Sequence, residues 1–149
     1  MSYTTFEHTI ATTTLNGWRD DSMTDHKELR MTLSKSRLSE QIEQTRNHPH
    51  KAPTVLSVDV DVVNTGLLDG DEVLLAYAVP PNAGLYGAPL RSLVQYERIH
   101  VEHGRVRRVT LHFTAHNFAL ANAAGVMEIS VGIWTLEIGK TAVSAAVTN

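Results

Sequence analysis

The sequence predicts an all-β fold, a two-sheet β-sandwich of about seven short strands. Stretches in which apolar and polar residues alternate recur along the chain, as they do in strands with one buried face. Clusters of glycine, proline, asparagine and aspartate separate these stretches and predict turns. Strands that alternate with long helices are absent from the pattern, which counts against a parallel α/β sheet.

The first predicted strand covers Thr4 to Thr14, which is rich in threonine and poor in large apolar residues. This composition favours a strand at the edge of a sheet. The character of the chain then changes. Alternation at residues 29–33 allows one short strand, and residues 36–46 allow a short helix with only two apolar anchors. We interpret residues 16–53 as a polar excursion from a single domain that spans residues 1–149.

The clearest pair of strands lies between Thr54 and Val79. Turn-forming residues at 64–66 and 69–71 separate its two halves. The first half alternates four apolar residues with polar ones: Leu56, Val58, Val60 and Val62. The second half is apolar on both faces, with Val73, Leu75, Tyr77 and Val79 in one row and Leu74, Ala76 and Ala78 in the other.

A strand with two apolar rows predicts a surface that something covers. In a two-sheet sandwich one row enters the core, while the opposite row would face water. We expect such a row to dock onto another domain through Leu75 and Tyr77, extended by Leu85 and Tyr86 in the following loop. The competing explanation is that residues 16–53 fold back over this surface.

The remaining pattern adds four strands. They are predicted at 93–101, around 109–113, at 129–138 and at 143–148, with a single helical turn between residues 115 and 122. Proline cannot donate a backbone hydrogen bond to a ladder, so Pro80-Pro81 ends the strand before it.

Composition excludes several function classes. The net charge of −3 gives no electrostatic reason to expect nucleic acid or an anionic membrane as a partner. No apolar run approaches the roughly 20 residues that span a bilayer. The absence of cysteine removes disulfides, thiolate metal sites and thiol nucleophiles. No cofactor is predicted, and the sequence leaves the cellular location open.

Carboxylates that could carry chemistry fall in two places. Asp59 and Asp61 lie two apart on one strand face, but a catalytic pair of carboxyl groups needs a cleft, and we interpret them as a solvent-facing rim. Asp69, Asp71 and Glu72 supply the oxygens that Ca²⁺ prefers. Three carboxylates in a short turn are more typical of turn formation, so we predict no catalytic residue and no metal ligand here.

Histidines and aromatic residues give weaker signals. Two histidine sets could hold zinc but lack the spacing of structural sites: His48 with His50, and His100, His103, His112 and His116. Trp18 and Tyr86 lie in predicted loops and are candidate sugar contacts, because aromatic faces pack against carbohydrate rings. Trp134 alternates with apolar residues and is predicted to lie in the core.

Six motifs follow one another in a fixed order along the chain. They are Ser2-Tyr3-Thr4-Thr5-Phe6-Glu7, Asn64-Thr65-Gly66, Gly70-Asp71-Glu72-Val73-Leu74 with Tyr77, Pro89-Leu90-Arg91-Ser92-Leu93 with Tyr96-Glu97-Arg98-Ile99, Gly104 with Val109, Leu111 and Phe113, and Gly132 to Gly139. In this order they resemble the C-terminal domain of glycoside hydrolase family 3, the family of β-glucosidases and β-xylosidases. The resemblance covers about three quarters of the chain and implies an immunoglobulin-like, fibronectin type III-like sandwich.

The resemblance also implies a function. In this family the catalytic machinery lies in two earlier domains, a (β/α)₈ barrel and an α/β sandwich, and the nucleophilic aspartate sits in a Ser-Asp-Trp motif that is missing here. The chain would then be a piece of a longer enzyme, with Met1 an added start. It would be no enzyme by itself, and its partners would be the catalytic domains that it braces. The alternatives are a carbohydrate-binding module and a stand-alone protein-binding sandwich.

Overall fold

The structure is a computed structural model that describes residues 4–15, 30–46, 52–85 and 87–149. Trp18, Tyr86, His48 and His50 therefore lie outside the described residues. The elements, in chain order, are β1 Phe6–Leu15, β2 Arg30–Ser34, α1 Lys35–Thr45, β3 Thr54–Asn64, β4 Gly70–Val79, β5 Ser92–Val101, β6 Val106–Thr114, a 3₁₀ helix Ala115–Phe118, β7 Ala119–Ala121, β8 Met127–Ile129, β9 Gly132–Ile138 and β10 Thr141–Thr148.

Two main sheets face each other across the core. One sheet has three strands in the order β1-β3-β6, and the other has five in the order β2-β10-β9-β4-β5. Neighbouring strands pair antiparallel, except that β2 lies parallel to β10. A small hairpin of β7 and β8 lies beside them. Strand β1 lies at a sheet edge, so its predicted position is confirmed.

The predicted all-β sandwich is confirmed. Three of the strands within the described ranges are short, because β2 has five residues and β7 and β8 have three each. The seven longer strands correspond to the stretches that alternation predicts. The single helical turn predicted after β6 is the 3₁₀ helix. No helix in the described part of the chain is long and apolar enough to cross a membrane.

Strands β3 and β4 are consecutive but belong to different sheets. The alternating valines of β3 are fully buried, and so are Leu74 and Ala76 of β4. Both strands therefore point one row into the same core from opposite sides. The outward row of β4 is the one that contains Leu75 and Tyr77. The turn between the strands is a corner that carries the chain from one sheet to the other.

Part of the segment interpreted as a polar excursion packs into the core. Leu33 on β2 and Leu38 on α1 are both fully buried. The helix is thus anchored more firmly than its two apolar residues indicated, because β2 extends the five-stranded sheet and places α1 against the 3₁₀ helix and β8. Residues 16–29 and 47–51 of this segment are outside the described residues, and the single-domain assignment stays a prediction.

The corner between β3 and β4 is organised by one buried side chain. Asn64 is fully buried, and its Nδ2 donates to the carbonyl oxygens of Leu68 at 2.8 Å and Val101 at 2.9 Å. Its Oδ1 accepts from Thr4 Oγ1 at 2.7 Å and from Gly66 N at 3.0 Å. A buried amide is stable only when it is hydrogen-bonded, and here every polar atom of the side chain has partners.

A clasp of polar side chains ties the edge strand β1 to the other sheet. His8 Nδ1 accepts the backbone N–H of Lys140 at 3.0 Å, so its Nε2 donates to Glu72 Oε2 at 3.2 Å. Lys140 Nζ donates to the carbonyl of Phe6 at 2.6 Å. Gly139 has φ +57, and a Cβ there would collide with the His8 ring, so glycine is required beside the clasp.

Candidate docking surface

The outward face of the five-stranded sheet carries an apolar band across three strands. Register places Leu75 of β4 opposite Tyr96 of β5, and Tyr77 opposite Leu93. On β9, Glu137 pairs with Tyr77 and Thr135 pairs with Val79. Ile133 precedes Thr135 by two residues and therefore lies on the same outward face. We call the following residues the outer band: Val73, Leu75, Tyr77, Leu93, Tyr96 and Ile133. Its rim is open to solvent, since Tyr96 is 68% and Leu93 52% exposed.

A charged pair is fixed at the centre of the outer band. The guanidinium of Arg91 stacks over the Tyr77 ring at 4.1 Å from the ring centroid. Arg91 Nη1 also donates to Glu137 Oε2 at 3.2 Å. Each contact is weak at an exposed site, but together they hold a planar cation in one orientation. One face of the Tyr77 ring is therefore covered by Arg91.

The loop after β4 carries two exposed leucines. It is held by short-range backbone bonds, with Leu85 N donating to Asn82 O at 2.9 Å and Ala88 N to Leu85 O at 2.9 Å. Leu85 is 57% exposed and Leu90 is 74% exposed. Two large apolar side chains are therefore exposed on a loop whose backbone is held by hydrogen bonds.

A cleft of about 350 Å³ separates this loop from the β7–β8 hairpin. Ligand pockets that hold sugars need convergent polar groups. The described residues that line this cleft bring one hydroxyl, that of Ser92: Gly87, Ala88, Pro89, Ser92, Ala119, Leu120, Ala121 and Met127. The side chains of the lining therefore offer a carbohydrate few hydrogen-bond partners.

The outward face of the three-stranded sheet has the opposite character. Asp59 accepts from Thr110 Oγ1 at 2.6 Å, and Asp61 accepts from Arg108 at 2.8 Å. The hydrogen bond from Arg108 holds the pKa of Asp61 below its usual range. A glycosidase acid needs a raised pKa, so this carboxylate is tuned the wrong way for that role. Three pairs of polar side chains therefore bind each other across β3 and β6: Ser57 with His112, Asp59 with Thr110 and Asp61 with Arg108.

The carboxylates near the corner, those of Asp69, Asp71 and Glu72, have different hydrogen-bond partners. Asp69 Oδ1 accepts the backbone N–H of His103 at 2.8 Å, whereas Glu72 belongs to the clasp with His8. Asp71 lies 2.7 Å from His100 Nδ1 and 2.9 Å from Arg98 Nη2. These hydrogen bonds, the one from His100 first, lower the pKa of Asp71. In the described part of the chain no three acidic or histidine side chains converge as metal ligands would.

The predicted docking residues are distributed as follows. Leu75 and Tyr77 share the outward row of β4, and Leu85 is exposed in the adjoining loop. Tyr86 and Trp18 lie outside the described residues, so their roles in docking and in sugar contact stay predictions. Residues 16–29 are also outside, which leaves the competing cover untested.

Sequence reasoning missed half of the outer band. Leu93 and Tyr96 lie on β5, and Ile133 lies on β9. The outward rows of these two strands mix apolar and polar residues, so the sequence alone does not mark either row as an apolar surface. The signal that finds them is register, because each lies beside the β4 row or on its face. Trp134, in contrast, is confirmed as a core residue. It is 1% exposed, and its ring meets the Phe118 ring edge-on at 5.7 Å.

Comparison with known proteins decides the fold family. Residues 72–142 match the family model described as the fibronectin type III-like domain. The chain has a fibronectin type III-like fold. It is 29% identical over 142 residues to Beta-D-xylosidase 1 of Arabidopsis thaliana, an alignment that covers 93% of this chain and 18% of the xylosidase.

Solved structures give the same result. A β-glucosidase from Listeria innocua, crystallised with isofagomine, superposes with a TM-score of 0.68 at 16% identity, over 100% of this chain and 17% of that one. The GH3 β-glucosidase of Bifidobacterium adolescentis superposes with a TM-score of 0.65 at 17% identity, over 99% of this chain and 18% of that one. The chain is similar in fold to one part of these glycosidases, and it spans under a fifth of the length of the relatives it matches.

Proposed function

We propose that this fibronectin type III-like domain braces the catalytic domains of a β-glucosidase or β-xylosidase, and that it docks onto them through the outer band. The observation that carries the proposal is the contrast between the two sheets. Among the described residues, one outward face has a single large exposed apolar side chain, that of Val106, beside paired polar side chains, whereas the other exposes large apolar side chains across β5, β4 and β9. Contiguous exposed apolar surface marks an interaction site in a soluble domain.

The outer band has the composition of an interdomain contact. Interfaces between domains of one chain are moderate in size and mix apolar with polar residues. Arg91 and Glu137 supply a fixed polar pair within the apolar surface, which would orient a partner. Burial of Tyr96 and Leu93 would each contribute about 1–2 kcal/mol. The domain would thus add stability to the whole enzyme without touching its substrate.

The proposal assigns the hydrolysis of β-linked glucose or xylose to the earlier domains. The names of the relatives support this assignment, since one is a xylosidase and two are glucosidases. The carboxylates described above have partners that suit a folded scaffold. A carbohydrate-binding role finds less support, because Arg91 covers one face of the Tyr77 ring and Trp134 is buried.

Lysine substitutions on the outer band test the proposal in the full-length gene product. We expect Leu93→Lys and Ile133→Lys each to shorten the half-life of β-glycosidase activity on heating by about tenfold, because a buried, unpaired ammonium disfavours docking by more than 1 kcal/mol. The residual activity after timed incubation is the measurement. Both side chains are more than half exposed in this chain, so its own unfolding temperature should change little.

Thr9→Lys is the matched control. Thr9 lies exposed on β1, the edge strand of the polar sheet, and the substitution adds the same charge. We expect its half-life to match that of the unmodified enzyme. Equal half-lives for all three lysine variants and the unmodified enzyme would overturn the proposed docking face.

A further inference from the structure

Two exposed leucines stand on the corner between β3 and β4. Leu67 is 90% exposed, more than any other large apolar residue in the described ranges, and Leu68 is 55% exposed. They do not belong to the outer band, since the corner joins the ends of the strands and lies beyond Gly70. Adjacent exposed leucines in a turn are unusual, because turns favour small polar residues.

Hydrogen bonds hold the backbone of this corner. Asn64 Nδ2 donates to the Leu68 carbonyl at 2.8 Å, and Asp69 Oδ1 accepts the His103 N–H at 2.8 Å. The first bond closes the corner on itself, and the second ties it to the turn between β5 and β6. A backbone that is ordered before binding lowers the entropy that association must offset. The corner therefore presents its leucines to a partner from an ordered backbone.

The chain enters the domain at this same corner. Thr4 Oγ1 donates to Asn64 Oδ1 at 2.7 Å, and Thr65 N donates to the Thr5 carbonyl at 2.9 Å. Gly66 makes room for this approach, since a Cβ there would lie 2.8 Å from Thr5 N. Thr4 thus lies beside the residues that lead directly into Leu67 and Leu68.

We propose that Leu67 and Leu68 form a second contact with the domain that precedes Thr4, and that the Asn64 corner sets the angle at which the two domains meet. The inference rests on the proposed function, because it takes the preceding catalytic domain as the occupant. The preceding domain would present an apolar patch close to its own C-terminal end. The outer band and the corner would then hold the domain at two separate places, one on a sheet face and one at the end of the sandwich.

Thiol labelling tests the corner directly, because the chain has no cysteine of its own. Leu67→Cys places a thiol at the most exposed position of the corner without disturbing the core. We expect maleimide to modify it at least about tenfold more slowly in the full-length gene product than in the 149-residue chain, as expected for a leucine position buried in an interface. Site-specific modification is followed by mass spectrometry at two protein concentrations.

Val126→Cys is the matched control, since Val126 is 48% exposed on the turn before β8, away from the corner. Its labelling rate should be the same in both proteins. Equal rates for the Leu67→Cys thiol in both proteins would overturn the inference. Protection in the 149-residue chain that grows with concentration would overturn it too, because the occupant would be a second copy.

An Ile133→Cys variant separates this inference from the proposed function. Ile133 lies on the outer band and should be protected in the full-length gene product if the band docks. Protection at 133 without protection at 67 overturns the corner contact alone. Protection at 67 without protection at 133 supports the corner contact and removes the proposed docking face.

Discussion

Replacing Asn64 by alanine should lower the free energy of unfolding by about 3–4 kcal/mol, the largest effect we expect from a single polar substitution in this domain. The side chain is fully buried and makes four hydrogen bonds. Its removal leaves the part-buried carbonyl of Leu68 and the buried carbonyl of Val101 without these donors, and water does not reach the second. Urea unfolding at neutral pH, followed by tryptophan fluorescence, measures the change.

Asn122→Ala is the matched control for Asn64. Asn122 also organises a turn, since its Oδ1 accepts from Ala124 N at 2.9 Å and from Val126 N at 3.0 Å. The Asn122 bonds are exposed to solvent, so water replaces them and the loss should be about 1 kcal/mol or less. Equal losses for the two variants would mean that the corner is not held by the buried amide.

Replacing Trp134 by alanine should destabilise the domain by about 3–5 kcal/mol. The indole lies between the two sheets, 1% exposed, with its Nε1 donating to the Ser130 carbonyl at 3.0 Å. Alanine leaves a cavity beside the Phe118 ring and removes the edge-on contact. Thermal unfolding followed by far-ultraviolet circular dichroism is the suitable measurement, because the substitution removes a fluorophore.

The Trp134→Phe variant shows which part of the indole matters. Phenylalanine keeps most of the packing against Phe118 but cannot donate to Ser130, so we expect a loss of about 1–2 kcal/mol. A loss for Trp134→Ala no larger than for Trp134→Phe would contradict the burial of Trp134 as a main element of the core.

The strands were predictable because alternation is a local signal. In β3, valines at every second position define one buried face without any knowledge of the partner strand. The same signal cannot say which strands pair. Asn64 to Asp69 predicted a turn, but the turn proved to be a corner between sheets. That outcome depends on Asn64 reaching the carbonyl of Val101, a contact 37 residues away in sequence.

The docking surface was predictable only on β4, where the residues of a single strand indicate an apolar outward row without any knowledge of the strands beside it. Strand β4 is apolar on both faces, and its outward row contains Leu75 and Tyr77. Leu93 and Tyr96 could not be assigned from their own strand, because a bulge between Ala76 and Tyr77 shifts the register of β5. The burial of Leu33 was likewise hidden, because it depends on β2 lying parallel to β10, more than 100 residues later.

Hydroxyl-radical footprinting of Tyr96 measures whether a docked domain covers the outer band. Tyr96 is 68% exposed at the rim of the outer band, and His112 is an exposed control on the polar sheet. We expect Tyr96 to be oxidised severalfold more slowly in the full-length gene product than in the 149-residue chain, while His112 reacts at the same rate in both. Equal oxidation of Tyr96 in the two proteins would show that the outer band stays open to water and would contradict docking through this face.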